Sequence, residues 1–341
     1  MDATSVITVD DYATLPKQRR DCVFDNIKLV LIVLVVFGHE LEYHLFNNRI
    51  LSTIYQFIYV FHMPAFVFIG GYFGNRGKIK PKLLIKLLIL YMSFQILYTN
   101  LDRYLNNRPL TLYINYYVPY WLLWYLVAYI AYHIIGFVLP HNRHLMRGVL
   151  IVSIAASLLV GYLPLEKYAF SFGRIVGRIV VFLPYYILGM LSKPLLIGLR
   201  EYVKKHFKVN CAMFIVLFTT TLLLLHHYKI PNALLYGSMS YKAIGIAQYG
   251  WLYRLCVVVV AILFIYCFVT LSPDKSGIVA TLGQHTLSGF LVHGLILKLL
   301  YHYFDRPFGA TIALTIVVMM VSWLTKCLVK SWKDRTRAQL T

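Results

Sequence analysis

The stretch Arg20-Asp-Cys-Val-Phe-Asp25-Asn26-Ile-Lys28-Leu-Val-Leu-Ile-Val-Leu-Val-Val-Phe-Gly38-His39-Glu-Leu-Glu42 decides the fold. From Ile27 it is apolar for the length of a membrane span, yet it carries ionisable groups at helical spacing. In a helix, the positions from Lys28 to His39 turn through about three full turns and rise about 16 Å, so the two side chains share one face. Lys28 stands at the start of the apolar run, where a long amine reaches the headgroup region, and His39 is expected near the bilayer midplane. Glu42 follows at i+3, within reach of the imidazole. An imidazole and a carboxylate deep in lipid cost roughly a few kcal/mol each, which points to groups lining a cavity. The plainer alternative is a histidine that only hydrogen-bonds a neighbouring helix.

The 341 residues are 60% hydrophobic and 13% charged, which a soluble domain does not tolerate. The chain reads as an all-α, polytopic transmembrane bundle of about ten helices, with apolar runs at 27–45, 54–73, 83–101, 120–139, 145–163, 175–191, 211–228, 249–271, 278–301 and 308–329. The connections are too short for a soluble domain, so 1–341 is expected to form one integral-membrane domain. Residues 1–26 are its polar N-terminus and 330–341 its basic tail. No small-residue cleavage pattern follows the first run, which reads as an uncleaved span.

The net charge of +20 is first a topology signal. Basic residues gather before the first run (Lys17, Arg19, Arg20), after the second (Arg76, Lys78, Lys80, Lys82), after the sixth (Lys193, Arg200, Lys204, Lys205) and at the end (Lys330, Lys333, Arg335, Arg337). Both termini are therefore expected on the cytoplasmic side. Charge alternating between loops makes no continuous stripe, which excludes nucleic acid as a partner. The cysteines Cys22, Cys211, Cys256, Cys267 and Cys327 have no paired spacing and indicate neither a disulfide framework nor a zinc site.

The second run carries Phe61-His62-Met63-Pro64, which should bring His62 to the depth of His39. A metal pair is one reading of two histidines at one level, but no third ligand accompanies them at helical spacing, and no metal is expected. The loop Gly74-Asn-Arg76-Gly77-Lys78-Ile-Lys80-Pro-Lys82 returns cations to the end of the bundle where Lys28 stands. Such a loop suits phosphate oxygens, with Gly77 allowing close backbone approach; the alternative is ordinary positive-inside charge.

Taken together, Arg20-Asp-x3-Asp25-Asn26-x-Lys28-x10-His39 and Phe61-His62-Met63-Pro64-x-Phe66-x-Phe68-Ile69-Gly70-Gly71-Tyr72 resemble the opening of the acyltransferase 3 family of membrane O-acyltransferases. Gly38-His39-x2-Glu42 is similar to the first helix of its fucose 4-O-acetylase-related sugar acetyltransferases. Trp121-Leu-Leu-Trp124-Tyr125-Leu126, Arg178-x5-Pro184-x4-Gly189 and Gly283-x2-Thr286-Leu287-x2-Phe290-Leu291-x-His293 resemble later segments of the family. Three positions depart from its pattern: Lys28 and Lys78 stand where arginine is commoner, and Gly70 where a serine usually precedes the glycine. Lysine keeps the charge without the bidentate fork, which touches donor affinity rather than reaction type.

The resemblance implies a multi-pass protein of a bacterial plasma membrane with acyl-CoA as donor, His39 as the catalytic group, and Lys28, Arg76 and Lys78 on the donor. No bound cofactor is implied; acetyl-CoA is a substrate. O-acetyl transfer needs a hydroxyl to lose its proton as it attacks a thioester, and a neutral imidazole is a suitable base, with Glu42 fixing its tautomer. A carbohydrate acceptor, lipid-linked or polymeric as in a capsule or exopolysaccharide unit, fits the subgroup. Acceptor or supporting roles fall to His62, Trp124, Arg174, Arg178, Arg254 and His293. For the aromatic residues an interfacial belt is the competing reading. The rival function is a transporter or flippase for a lipid-linked glycan, with buried His, Glu and Arg as its pathway.

Overall fold

The computed structural model describes residues 22–45, 48–74, 76–77, 79–167, 172–228, 230–304 and 309–340, and every regular element among them is helical. In order these are α1 (Val23–Leu41), α2 (Arg49–Tyr72), α3 (Pro81–Leu105), α4 (Trp124–Val138), α5 (Arg143–Leu159), α6 (Phe172–Lys205), α7 (Phe207–His227), α8 (Asn232–Tyr236), α9 (Gly250–Leu271), α10 (Ile278–Gly283), α11 (Thr286–Tyr303) and α12 (Ala310–Leu340). Eight segments among the described residues are long and apolar enough to cross a membrane. The chain is a polytopic membrane protein built as a helical bundle.

Local signals start and stop these helices. The Asn48 side chain accepts from the Leu51 N–H at 3.0 Å and caps α2, and Asn142 caps α5 by accepting from His144 and Leu145. Pro81 opens α3, where its missing N–H is harmless. Gly237, at φ +65, ends α8 in the left-handed conformation.

Burial sorts the helices into layers. Most of the apolar length of α2 and α6 is buried inside the bundle, whereas α7 and α12 are mostly exposed and present leucine, valine and isoleucine outward as lipid-facing helices do. The central pair packs backbone to backbone: a Cβ built on Gly71 would stand 1.9 Å from the Tyr186 carbonyl oxygen, and one on Gly189 2.1 Å from that of Phe68. Without a hydrophobic drive between helices in lipid, such close approach of small residues is how spans associate.

The structure departs from the hydropathy reading in four places. The run 278–301 is two helices, broken at Gln284–His285, because the backbone at Gly283 lies against that of Asp25: a Cβ there would meet the Asp25 carbonyl oxygen at 1.8 Å. α6 continues past 191 to Lys205 and closes on Lys204 and Lys205, cations that complement a helix C-terminus. α12 likewise runs on to Leu340. α1 ends at Leu41, so His39 occupies its last turn instead of mid-span. Lys17, Arg19, Arg20 and Lys78 lie outside the described residues.

The first turn of α1 is tied to the segment ahead of α10. The Cys22 N–H donates to Asp274 Oδ1 at 2.9 Å, and Asn26 Nδ2 donates to the carbonyls of Pro273 and Lys275 at 2.9 and 3.2 Å. Asn26 therefore serves packing, while Asp25 pairs with Lys28 at 2.8 Å one turn on.

Candidate active site

Three cavities lie in series along α1. The first, about 270 Å³, has Lys28 in its wall with Gly70, Phe73, Leu83, Leu87, Tyr129 and Leu287. The second, also about 270 Å³, holds His39, Glu42, Tyr59, His62, Trp121, Trp124, Arg178 and Tyr236. Val35, Met63, Tyr125 and Phe290 line both and form the ring at which they meet. Glu42 and Trp121 are shared in turn between the second cavity and a third of about 310 Å³, lined also by Tyr43, Tyr120 and Lys298. The helical spacing of Lys28, Val35 and His39 is what lets one face of α1 run along the first two.

At the centre, His39 Nδ1 lies 3.1 Å from Glu42 Oε1. An ionised carboxylate only accepts, so Nδ1 carries the hydrogen and Nε2 the lone pair. The Glu42 oxygen is further held by the Tyr59 hydroxyl at 2.7 Å and the Tyr55 hydroxyl at 3.1 Å, and Tyr55 bonds Tyr236 in turn. Burial raises the Tyr236 phenol above its ordinary range and keeps it a neutral donor. Among the described residues Glu42 Oε2 takes no hydrogen bond. The imidazole is boxed by Trp121 at 4.8 Å between ring centroids and by His293, stacked at 5.5 Å. Trp121 has φ +37, a backbone state rare outside glycine, so the contact that sets the imidazole edge is held under strain.

The two histidines beside His39 are fixed as hydrogen donors to backbone. His62 Nδ1 donates to the Ile58 carbonyl at 2.7 Å and His293 Nδ1 to that of Gly289 at 3.1 Å, and the buried His293 Nε2 has no partner among the described residues. His62 lines the His39 cavity as its expected depth requires. No group of three or more His, Cys, Asp or Glu among the described residues is placed to hold a metal ion.

The arginines divide. Arg178 lies over the Trp124 ring at 4.7 Å and faces the His39 cavity; its buried Nε has no hydrogen-bond partner among the described residues. With Glu42 in the same cavity wall but no ion pair to Arg178 among the described residues, this intramembrane guanidinium is poised for an anion. Arg254 is outside the residues lining the three cavities. It is buried, donates to the Leu234 carbonyl and so pins α8, which carries Tyr236. Arg174, one turn before Arg178, is exposed. Arg76 donates to the His141 carbonyl at 3.1 Å, three residues beyond Phe73 of the first cavity, and Lys193 lies within electrostatic range of Arg76 and Lys80.

Sequence reasoning missed Tyr55 and Tyr59. Their signal is the spacing Tyr55-x3-Tyr59-x2-His62, one helical face, obscured in a chain of 28 tyrosines. It also missed Lys298, an isolated cation in an apolar run. Replacing Glu42 by Gln keeps the shape but removes the charge that orients the imidazole; kcat is expected to fall about 10²-fold with the donor KM unchanged in steady-state assays.

The helical bundle, with a partly buried histidine–carboxylate pair in a cavity wall, is a membrane protein whose class, acyltransferase, follows from its family match. Residues 23–327 match the Acyltransferase domain family (Acyl_transf_3), and the chain belongs to it. Shorter segments are similar to nodulation protein NolL of Sinorhizobium fredii (strain NBRC 101917 / NGR234), 43% identical over 60 residues, and of Mesorhizobium japonicum (strain LMG 29417 / CECT 9101 / MAFF 303099), 38% over 65. These matches cover 17% and 18% of this chain, and 16% and 17% of the respective relatives. No solved structure matches the chain significantly.

Proposed function

We propose that the protein moves an acetyl group from acetyl-CoA to a hydroxyl of a cell-surface or exported polysaccharide unit. The observation that carries this reading is the pair of cavities meeting at Val35, Met63, Tyr125 and Phe290, with Lys28 in one and His39 in the other. A thin pantetheine arm suits the largely apolar first cavity, and the roughly 16 Å rise between the two residues suits its length. Lys28, Arg76 and Lys78 hold the phosphates at the cytoplasmic end.

His39 Nε2 takes the acceptor's proton as the hydroxyl oxygen attacks the thioester carbon. The C–O bond forms, the charge passes to the carbonyl oxygen, and Arg178 donates to it in a site poor in water. The C–S bond then breaks and the imidazolium returns its proton to the departing thiolate. Glu42, held by Tyr55 and Tyr59, stabilises the imidazolium meanwhile.

Purified protein with labelled acetyl-CoA and a panel of lipid-linked oligosaccharides should yield an O-acetylated glycan. Glycan moved across the bilayer with no need for the donor would establish the transporter reading in its place. Charge reversal at Lys28 or Arg76 is expected to raise the donor KM about tenfold with kcat little changed, since each charged contact contributes about 1.4 kcal/mol or more.

A further inference from the structure

The third cavity stands on the far side of His39 from Lys28 and is not needed by the donor. Its chemistry comes from three elements distant in sequence. Lys298 on α11 donates to Asp102 Oδ1 on α3 at 2.9 Å, and the Tyr120 hydroxyl, just ahead of α4, donates to the same oxygen at 2.8 Å. The Lys298 ammonium lies over the Tyr120 ring at 5.2 Å, and that ring stacks on Tyr98 at 5.5 Å. Asp102 thus fixes the two side chains that line the cavity. A lysine in an otherwise apolar helix is costly, and retaining one beside a cavity marks a site more often than a packing device.

We propose that this cavity seats the sugar ring whose hydroxyl is acetylated, and that the ring is uncharged. The proposal rests on the acetyl-transfer reading above. At about 310 Å³ the space is at the small end for ligand sites, room for one ring rather than a chain. Lys298 has three donors and gives one to Asp102, leaving two for sugar oxygens. Tyr43 and Trp121 supply the aromatic faces that cover the apolar side of such a ring. Glu42, shared with the His39 cavity, accepts through Oε2 from the hydroxyl next to the reacting one. The charge balance decides against an acidic sugar. Lys298 is already matched by Asp102, and the other charged wall residue is a carboxylate, so a uronic acid brings an unpaired negative charge.

The test uses protein in lipid nanodiscs, acetyl-CoA, and the methyl glycosides of a neutral hexose and of the corresponding hexuronic acid. Wild type is expected to favour the neutral glycoside at least about tenfold in kcat/KM. Lys298→Met should raise the neutral glycoside's KM about tenfold without moving the donor KM. Asp102→Asn is the sharper variant: it frees the ammonium, weakening the neutral glycoside and improving the uronide, a crossover that a mere clamp between α3 and α11 cannot produce. Tyr120→Phe removes one hydroxyl and supplies a folded comparison should Lys298→Met melt early; its neutral-glycoside KM should also rise. Unchanged acceptor KM values in the variants, or a wild-type preference for the uronide, overturn the proposal. Wild type that cleaves acetyl-CoA yet acetylates neither glycoside overturns this subsite alone. Wild type indifferent to acetyl-CoA overturns the acetyl-transfer reading beneath it.

Discussion

Replacing His39 by alanine is expected to lower acetyl transfer about 10³-fold or more while leaving acetyl-CoA binding within a factor of about two, because loss of a positioned general base is worth about 10²- to 10⁴-fold. The separation follows from the layout. The donor's charged end and arm are assigned to the first cavity, and His39 is absent from that wall. The imidazole is packed by Trp121 and His293 and tethered by Glu42, so alanine leaves a hole without severing any helix-to-helix tie apart from the single tyrosine contact from Tyr59 at 3.3 Å. His62 and His293 are poor replacements, since each has Nδ1 committed to a backbone carbonyl. Calorimetric binding of acetyl-CoA alongside turnover separates the two effects. An alanine variant that still transfers at the wild-type rate would remove His39 from the mechanism.

What the sequence revealed here depended on the distance over which the information is encoded. The Lys28–His39 face and the Glu42 contact lie within one helix and its cap, where a period of 3.6 predicts who meets whom, and the structure places all three in the walls of adjoining cavities. Tyr236 reaches Glu42 through Tyr55 from a helix of five residues after α7, and Asp102 meets Lys298 across 196 positions. No local period encodes such pairs. The break at Gln284 was equally hidden, because hydropathy averages over a window and is blind to one backbone lying against another. Arg254 was visible as an intramembrane cation, but the carbonyl it meets, that of Leu234 on α8, lies 20 positions away and no local period predicts it.

The crossing of α2 and α6 carries the other large effect. Gly189→Ala is expected to cost more than the roughly 1–3 kcal/mol typical of an overpacked core, and to abolish a cooperative melt in detergent. The added Cβ would stand 2.1 Å from the Phe68 carbonyl oxygen and 2.8 Å from the Tyr72 N–H nitrogen. Both are backbone atoms, so no side chain can swing aside and the helices must separate. Gly71 meets the same crossing from the opposite helix, where a built Cβ would stand 1.9 Å from the Tyr186 carbonyl oxygen, so the contact is backbone against backbone on both sides. Separation also shifts Gly70, which lines the first cavity, so donor binding should fail together with the melt. Gly148 supplies the contrast: it is exposed in α5 with nothing within 4 Å of a built Cβ, and Gly148→Ala should stabilise by about 0.5–1 kcal/mol through helix propensity alone. The same substitution thus takes opposite signs at two helical glycines. Melting curves of both variants read this directly, and a Gly189→Ala protein melting within about 2 °C of wild type would show that the two backbones are not in contact.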